Sequence, residues 1–384
     1  MAVTIETTAG LRPASTPDCH ESGYRPPGRI LALIPAHNEA QSIAHTIHSL
    51  RQQTMPPDEI TVICDNCTDD TDGVSMLSGA RVFKTTGNTS KKAGALNQAL
   101  RVSLAYLADD DLVLTIDADS NLNPDWIRNA WLELRRSTHA RRAGAVCGIV
   151  KGENGHGLIG QLQRNEYIRA VRAIARMRRI WVLSGCGTIF RAAALRKVSS
   201  ERGVTLPGQF GDCFNTASIT EDYEMTLALR VLGFECLCSI DSVATTELMP
   251  KWRDLFRQRL RWQRGSLGDI RSFGIMRATW LDWSKQAFVH ISYAVLILCW
   301  AVNLGELITR TPFNLRWGLG ALLVYLTESV WTVRKAGHRG MILALWILPE
   351  FGYAMFRSLY LASALKAQFM RRSEVWSHVE RNIP

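Results

Sequence analysis

Two aspartates one residue apart, Asp117 and Asp119, stand at the end of an apolar run from Val113 to Ile116. That run favours β-structure, and Asn121, Asn123 and Pro124 break it, so both carboxylates are expected at a strand's carboxyl end. In an open α/β sheet that edge is where ligands bind. Paired carboxylates there offer hard oxygen ligands to a Mg²⁺ or Mn²⁺ ion carrying a substrate diphosphate. An isolated Asp-x-Asp has a plainer explanation, because turns favour Asp for their own geometry. The polar groups that the rest of the chain brings to the same edge tip the balance toward chemistry.

His37, Asn38 and Glu39 follow a first apolar run, where polar side chains reach a base or ribose. Asp65 is the first polar residue after a second run and the better candidate there for ligand contact, while Asp69 and Asp70 are explained by helix capping. Lys91 or Lys92 can neutralise a phosphate, although a solvated loop lysine is the simpler account of either. The Walker order G-x-x-x-x-G-K-[ST] is absent, which excludes a P-loop NTPase on pattern. Gly185 and Gly187 let a sugar approach the main chain closely, and a tight packing turn accounts for them equally well. Thr220 is a natural N-cap ahead of Glu221, Asp222 and Glu224, whose charges complement a helix dipole. Gln258, Arg261 and Trp262 fall on neighbouring helical turns. Arg261 suits a phosphate and Trp262 a sugar face, and a basic amphipathic helix on a membrane surface has the same pattern.

The elements that must carry these groups alternate. Strands are expected over Ile30 to Ile34, Glu59 to Cys64, Ala80 to Lys84 and Val113 to Ile116. Helices fall between them, marked by Ile43, Ile47 and Leu50 and by Leu96, Leu100 and Leu104. Four such units predict a mostly parallel α/β sheet covered on both faces, with a nucleotide along its carboxyl edge. A further strand is expected over Ala143 to Lys151, then a helix over Leu158 to Arg179, and a strand and helix start within Ser184 to Leu195.

The chain has 384 residues, 47% of them hydrophobic, enough for one large catalytic domain and an appendage. Its net charge of +10 suits anionic lipid, nucleotide diphosphates or nucleic acid, but no DNA- or RNA-binding motif is present. Nine cysteines without regular spacing argue for reduced thiols and a cytosolic catalytic domain. Cys64 and Cys67 form a lone C-x-x-C with no second ligand pair to make a zinc site. Residues 1–28 lack an apolar core of signal-peptide length and read as a flexible leader.

Taken together, the segments resemble the family 2 glycosyltransferases, inverting enzymes of GT-A fold that take a sugar from a nucleotide-diphosphate donor. The motifs occur in family order: PAHNE at Pro35 to Glu39, DNCTDDT at Asp65 to Thr71, KAGALN at Lys92 to Asn97, DAD at Asp117 to Asp119, TED at Thr220 to Asp222, and QRLRW at Gln258 to Trp262. The resemblance implies a catalytic domain over residues 29–275 and a UDP-sugar as donor. It implies that Glu39 and Asp65 contact the nucleoside and Lys92 the nucleotide portion. Asp117 and Asp119 would meet the ribose, the diphosphate and a Mg²⁺ or Mn²⁺ ion, and Asp222 would be the general base. Gln258 and Arg261 would hold the diphosphate and Trp262 the acceptor, which Gly185 would also border. The Q-x-x-R-W motif is similar to that of the branch that synthesises cellulose, chitin, hyaluronan and poly-N-acetylglucosamine. This chain departs from that branch in having no apolar span ahead of the catalytic domain, so a polymer-secreting channel within one chain is not expected. Transfer of one or a few sugars to a glycan, lipid or protein hydroxyl stays open. The rival class is a non-catalytic scaffold of this fold that binds nucleotide-sugar or glycan.

Residues 276–384 form a C-terminal hydrophobic helical region with three apolar stretches, Phe288 to Leu307, Leu319 to Val333 and Met341 to Leu365. Each approaches the roughly 20 residues of a bilayer span. Each also holds charge: Glu306, Glu328, and Glu350 with Arg357. A midplane carboxylate costs on the order of 3 kcal/mol, so simple lipid-facing spans are not expected. The expectation is a membrane-associated protein with a cytoplasmic catalytic domain, the alternative being a cytoplasmic protein with a helical C-terminal domain.

Overall fold

The structure, a computed structural model, describes residues 26, 28–137, 142–177, 180–309 and 315–370. The expected leader, apart from Pro26 and Gly28, and the end of the C-terminal region, 371–384, lie outside the described residues.

Eight strands form one sheet in the order β3-β2-β1-β4-β7-β6-β8-β5. The first half is β1 (Ile30–Ala36), β2 (Glu59–Cys64), β3 (Arg81–Lys84) and β4 (Leu112–Thr115), all parallel. Alternate residues of β1 serve opposite faces: Leu31 and Leu33 join one core, and Ile30, Ala32 and Ile34 the other. Burial on both faces is why the strand reads as a continuous apolar run. The first core is covered by α3 (Lys91–Ser103), α6 (Ala192–Glu201) and α7 (Glu221–Val231), the second by α1 (Ile43–Arg51) and α4 (Trp126–Arg136).

Beyond β4 the sheet differs from the mostly parallel expectation. β7 (Thr188–Arg191) runs antiparallel to both β4 and β6 (Ala143–Gly152), and β8 (Glu235–Thr246) runs parallel to β6 with β5 (Asn121–Leu122) antiparallel on its far side. The expectation extrapolated the early β-α alternation past the point where the chain stops alternating. Neither β8 nor α4 was anticipated. The β8 sequence, ECLCSIDSVATT, is half-buried for most of its length, so it lacks the dense apolar run that marks a doubly covered strand.

Four helices follow α5 (Gly157–Met177) and α8 (Trp252–Phe273): α9 (Trp280–Thr309), α10 (Leu315–Val333), α11 (Gly337–Leu345) and α12 (Ile347–Phe369). The third apolar stretch is thus two helices, broken at Trp346 (ψ 96°), with Pro349 in the first turn of α12 where a missing N–H is tolerated. No single described helix is long and apolar enough to cross a membrane; Tyr325–Leu345 and Leu348–Gln368, bent by 90°, pass that test only together. The charges within the third stretch point inward. Glu350, 6% exposed, accepts two hydrogen bonds from Arg169 of α5 at 3.0 and 3.1 Å. Arg357 lies close enough to Glu166 of α5 for each to shift the other's protonation. Tyr353 donates to Glu166 at 2.7 Å.

Candidate active site

The Asp-Ala-Asp segment sits where the sequence puts it, just past β4, and the backbone around it is tied on three sides. Ile116 N–H donates to the Leu33 carbonyl at 3.2 Å, Asp117 N–H to the Gly185 carbonyl at 2.9 Å, and the Thr46 hydroxyl of α1 to the Ala118 carbonyl at 2.7 Å. The two glycines have different surroundings. Gly187 (φ 151°) is a packing glycine, since a Cβ there would lie 2.9 Å from the ring of fully buried Trp126. Gly185 instead faces charged side chains. A Cβ there would lie 2.6 Å from Asp222 Oδ2, 2.7 Å from Asp117 Oδ2 and 3.1 Å from Lys92 Nζ. The missing side chain leaves a small cradle bounded by two carboxylates and an ammonium.

Lys92 joins the segments. Its Nζ lies 2.7 Å from Asp117 Oδ1, 2.8 Å from Glu221 Oε1 and 3.8 Å from Asp222 Oδ2. Of the two lysines that sequence leaves open, it is therefore Lys92 that meets the carboxylates. Lys91 opens α3 at φ 53°, and burial, then the charge of Arg261, draws its ammonium below the usual lysine range. Burial works against a charged Lys92, but Asp117, Asp222 and Glu221 hold it well above the ordinary value. The two acids of α7 respond oppositely to the same surroundings. Burial pushes Asp222 up to about 7, with Lys92 opposing and Glu221 and Asp117 reinforcing the rise. Burial would also raise Glu221, but its close contact with Lys92 more than offsets this and holds it below the usual carboxylate range.

Two buried devices fix α3 and α7 relative to each other. Asn97 of α3 donates to the Phe214 carbonyl at 2.8 Å and accepts from the Phe214 and Cys213 amides. Arg202 donates to the Cys213 carbonyl at 2.7 Å and forms a two-pronged ion pair with Glu224 of α7, both residues fully buried. Glu224 is therefore a structural anchor and not the exposed first-turn charge that the sequence suggests. Thr220 stands at the N-cap position without making a side-chain cap bond. Its hydroxyl instead donates to Asp269 Oδ2 of α8 at 2.7 Å.

On the β1–β2 side, Asp65 is 7% exposed, and the hydrogen bonds on its carboxylate come from Thr85 at 2.7 Å, Asn88 at 2.8 Å and Asn66 at 3.2 Å, all on Oδ1. That leaves Oδ2 as the atom able to meet a ligand. Glu39 Oε2 accepts from Ser42 at 2.6 Å in the turn ahead of α1. Asp69 accepts from the Thr71 and Ala40 amides, whereas Asp70, at the N-cap position, makes no side-chain cap bond, so the capping expected of both is not made by Asp70. The Cys67 thiol donates to the Ala36 carbonyl at 3.4 Å, and no described group of three or more His, Cys, Asp or Glu residues could hold a metal.

Helix α8 brings the last motif. The charge of Arg261 is felt by Glu221 and Asp222, less strongly than that of Lys92. Gln258 carries a buried Oε1 to which no described residue donates. Trp262 is 37% exposed, and Arg259 lies over its ring at 4.2 Å, so one ring face is already covered. Arg259 is 5% exposed and paired with Glu166 at 3.0 Å. Neither residue of that pair was anticipated.

Asp117 and Asp119 are the residues that could hold a metal: two carboxylates would suit a Mg²⁺ or Mn²⁺ ion shared with substrate oxygens better than a closed protein cage.

A family model described as "Glycosyltransferase like family 2" matches residues 26–265, more than half of the chain. The chain is 24% identical over 243 residues to poly-beta-1,6-N-acetyl-D-glucosamine synthase of Staphylococcus aureus, covering 62% of this chain and 54% of that protein. The same-named synthase of Staphylococcus epidermidis is 25% identical over 243 residues, covering 61% and 53%. The match thus spans about half the length of these relatives. A solved mannosyltransferase from Pyrobaculum calidifontis, in complex with GDP-Man and Mn²⁺, superposes with a TM-score of 0.60 at 18% identity, covering 91% of this chain and 89% of that one. That likeness speaks to the fold, C-terminal helices included. The six motifs, the contacts that bring the DAD and TED segments to Lys92, and the family match together make this chain a member of glycosyltransferase family 2.

Proposed function

We propose that the protein transfers a sugar from a UDP-sugar to a hydroxyl of a glycan, lipid or protein by inverting single displacement, with Asp222 as general base. The observation that carries this reading is the split between adjacent carboxylates. Glu221 is bound to Lys92 at 2.8 Å and held in its ionised form, which makes it a poor proton acceptor. Asp222 stands 3.8 Å from the same ammonium and is pushed up to about 7, near the operating pH that suits a general base. An incoming hydroxyl over the Gly185 cradle attacks the anomeric carbon as Asp222 takes its proton, and the bond to the diphosphate breaks on the opposite side. One displacement inverts the anomeric centre and forms no covalent sugar-enzyme intermediate.

Asp117 and Asp119 would hold the Mg²⁺ or Mn²⁺ ion, which when bound neutralises charge on the departing diphosphate. Lys92 and Arg261 add positive charge to the same group, and Gln258 offers its orphaned oxygen to a ligand donor. Asp65 Oδ2 and Glu39 meet the nucleoside. Trp262 gives the acceptor its uncovered face. The mannosyltransferase of similar fold is solved with GDP-Man and Mn²⁺, a nucleotide-sugar and a divalent ion of the kind proposed here.

The outer sides of α9 to α12 are the membrane contact, with the catalytic half on the cytoplasmic side. Phe288, Leu298 and Leu348 are 72%, 62% and 81% exposed, and apolar area left in water costs about 25 cal/mol per Å². Co-sedimentation with anionic vesicles checks this, and a protein that stays in the supernatant at low salt contradicts it.

The function is tested by UDP release from a panel of UDP-sugars with Mn²⁺, followed by stereochemical analysis of the product. Turnover with inversion is expected. Tight donor binding without turnover across a broad acceptor panel would instead favour the non-catalytic scaffold.

A further inference from the structure

Helix α8 carries the Gln258, Arg261 and Trp262 side chains near its middle, and from about one turn further on it touches the segment that leads into α7. Two contacts make that junction. At Gly265 a Cβ would lie 2.3 Å from the Thr220 hydroxyl oxygen and 2.6 Å from its methyl, so the α8 backbone meets the Thr220 side chain at a distance only glycine permits. One turn later Asp269, 5% exposed, accepts the Thr220 hydroxyl at 2.7 Å and the Ser218 hydroxyl at 3.0 Å on the same Oδ2. The Ser218 oxygen in turn receives the Thr220 N–H at 3.0 Å, closing a small ring. Glu221 and Asp222 are the next two residues of the chain.

A buried carboxylate is costly to keep unless it is fully engaged, and a hydrogen bond to a charged group contributes about twice what a neutral one does. Here that carboxylate holds the Thr220 side chain away from the role its position favours, which is capping α7. What the arrangement secures is the height and rotation of the first turn of α7 against α8.

We propose that Asp269 is a positioning residue that sets the approach of Asp222 to the reacting centre, by strapping Ser218 and Thr220 to the helix that carries Gln258, Arg261 and Trp262. The inference rests on the reading of Asp222 as base. It predicts that the strap governs the rate of the chemical step and not donor affinity, because the groups assigned to the donor lie on other segments or on α8 itself.

The experiment uses the full chain, UDP release from UDP-N-acetylglucosamine with Mn²⁺, and hydrogen exchange of the amides of residues 218–224. Thr220→Val keeps the shape and removes the hydroxyl, and Asp269→Ala removes the acceptor. Each should lower kcat about tenfold to a hundredfold, as a misplacement near 1 Å does, with the donor KM within about twofold. Thr220→Ser and Asp269→Asn, which keep a hydroxyl and an acceptor oxygen, should recover most of the loss. In an Asp222→Asn background Thr220→Val should have almost no further effect on kcat. A Thr220→Val protein with kcat unchanged, or one whose loss is undiminished in the Asp222→Asn background, overturns the proposal. If Asp222→Asn alone keeps near-normal turnover, the base reading has failed. Exchange then still decides the strap, which is supported by faster exchange over 218–224 in Thr220→Val and overturned by unchanged exchange.

Discussion

Helix α7 carries two clusters of opposite charge within one turn of each other, built on different plans. Glu224 meets Arg202 one to one, both at 0% exposure, and the guanidinium also donates to the Cys213 and Pro207 carbonyls. Glu221 and Asp222 share a single Lys92 with Asp117, and the side chains there are 15% to 33% exposed. The first cluster is balanced and closed, so nothing is left for a ligand to do. The second holds three carboxylates against one ammonium beside a glycine cradle. Such a site is short of positive charge, and the shortage appears as an Asp222 carboxyl pushed up to about 7 by burial and by its acidic neighbours. Buried ion pairs add little net stability but are costly to break, whereas an unbalanced, part-open cluster is where perturbed protonation marks function.

The contrast can be broken from either side. The largest effect is expected at the open cluster: Asp119→Ala should abolish Mn²⁺-dependent binding of UDP in titration calorimetry, with Asp117→Ala close behind. Unchanged metal-dependent affinity in Asp119→Ala would refute the assignment of the ion. At the closed cluster, Glu224→Gln leaves Arg202 with a buried unpaired charge and should cost about 3–5 kcal/mol in urea denaturation, far more than a surface amide swap. A loss below about 1 kcal/mol there would mean the pair is not sealed in solution.

The pH dependence comes next in size. A base pushed up to about 7 is protonated below that value, so the rate of UDP release should fall about tenfold per pH unit below about 7 and level off above it. Stability moves the other way. A carboxyl raised in the folded state makes the native protein bind more protons than the unfolded chain between its ordinary value and about 7. Its contribution is therefore lost as pH rises through that window. Asp222→Asn should accordingly raise the melting temperature at pH 8 or leave it unchanged, and a clear drop would contradict this. The smallest effect is expected at Glu221→Gln, which frees Lys92 from one partner and leaves the proton acceptor in place. A loss of a few-fold in turnover is predicted, on the order of 1 kcal/mol, and a loss exceeding that of Asp222→Asn would move the base to Glu221.

The sequence carried the parts of this site that lie on strongly patterned segments. Strand β2 has the bounds that its apolar run marks, Glu59–Cys64, and Lys92, Asp117 and Asp222, from three of the motifs, lie together beside Gly185. What it did not carry are the partnerships. Glu224 has the look of a dipole-complementing acid, because its position relative to the N-cap is local information and its partner Arg202 lies 22 residues away. Thr220 has the look of a cap for the same reason, and its hydroxyl goes instead to Asp269, 49 residues on. Glu350 and Arg357 read as charges stranded in apolar helices until the fold sets them beside Arg169 and Glu166. Strand β8 was missed because a half-buried strand at the weaker side of the sheet shows neither a continuous apolar run nor clean alternation.

The most direct test of the central claim compares Asp222→Asn with the wild type in two measurements on one preparation, the affinity for UDP with Mn²⁺ and the single-turnover rate of sugar transfer or donor hydrolysis. The substitution preserves size and removes the proton acceptor. The rate should fall by roughly 10² to 10⁴ while the affinity changes by less than about threefold. A folded Asp222→Asn protein that turns over at near the wild-type rate would contradict the assignment of the base.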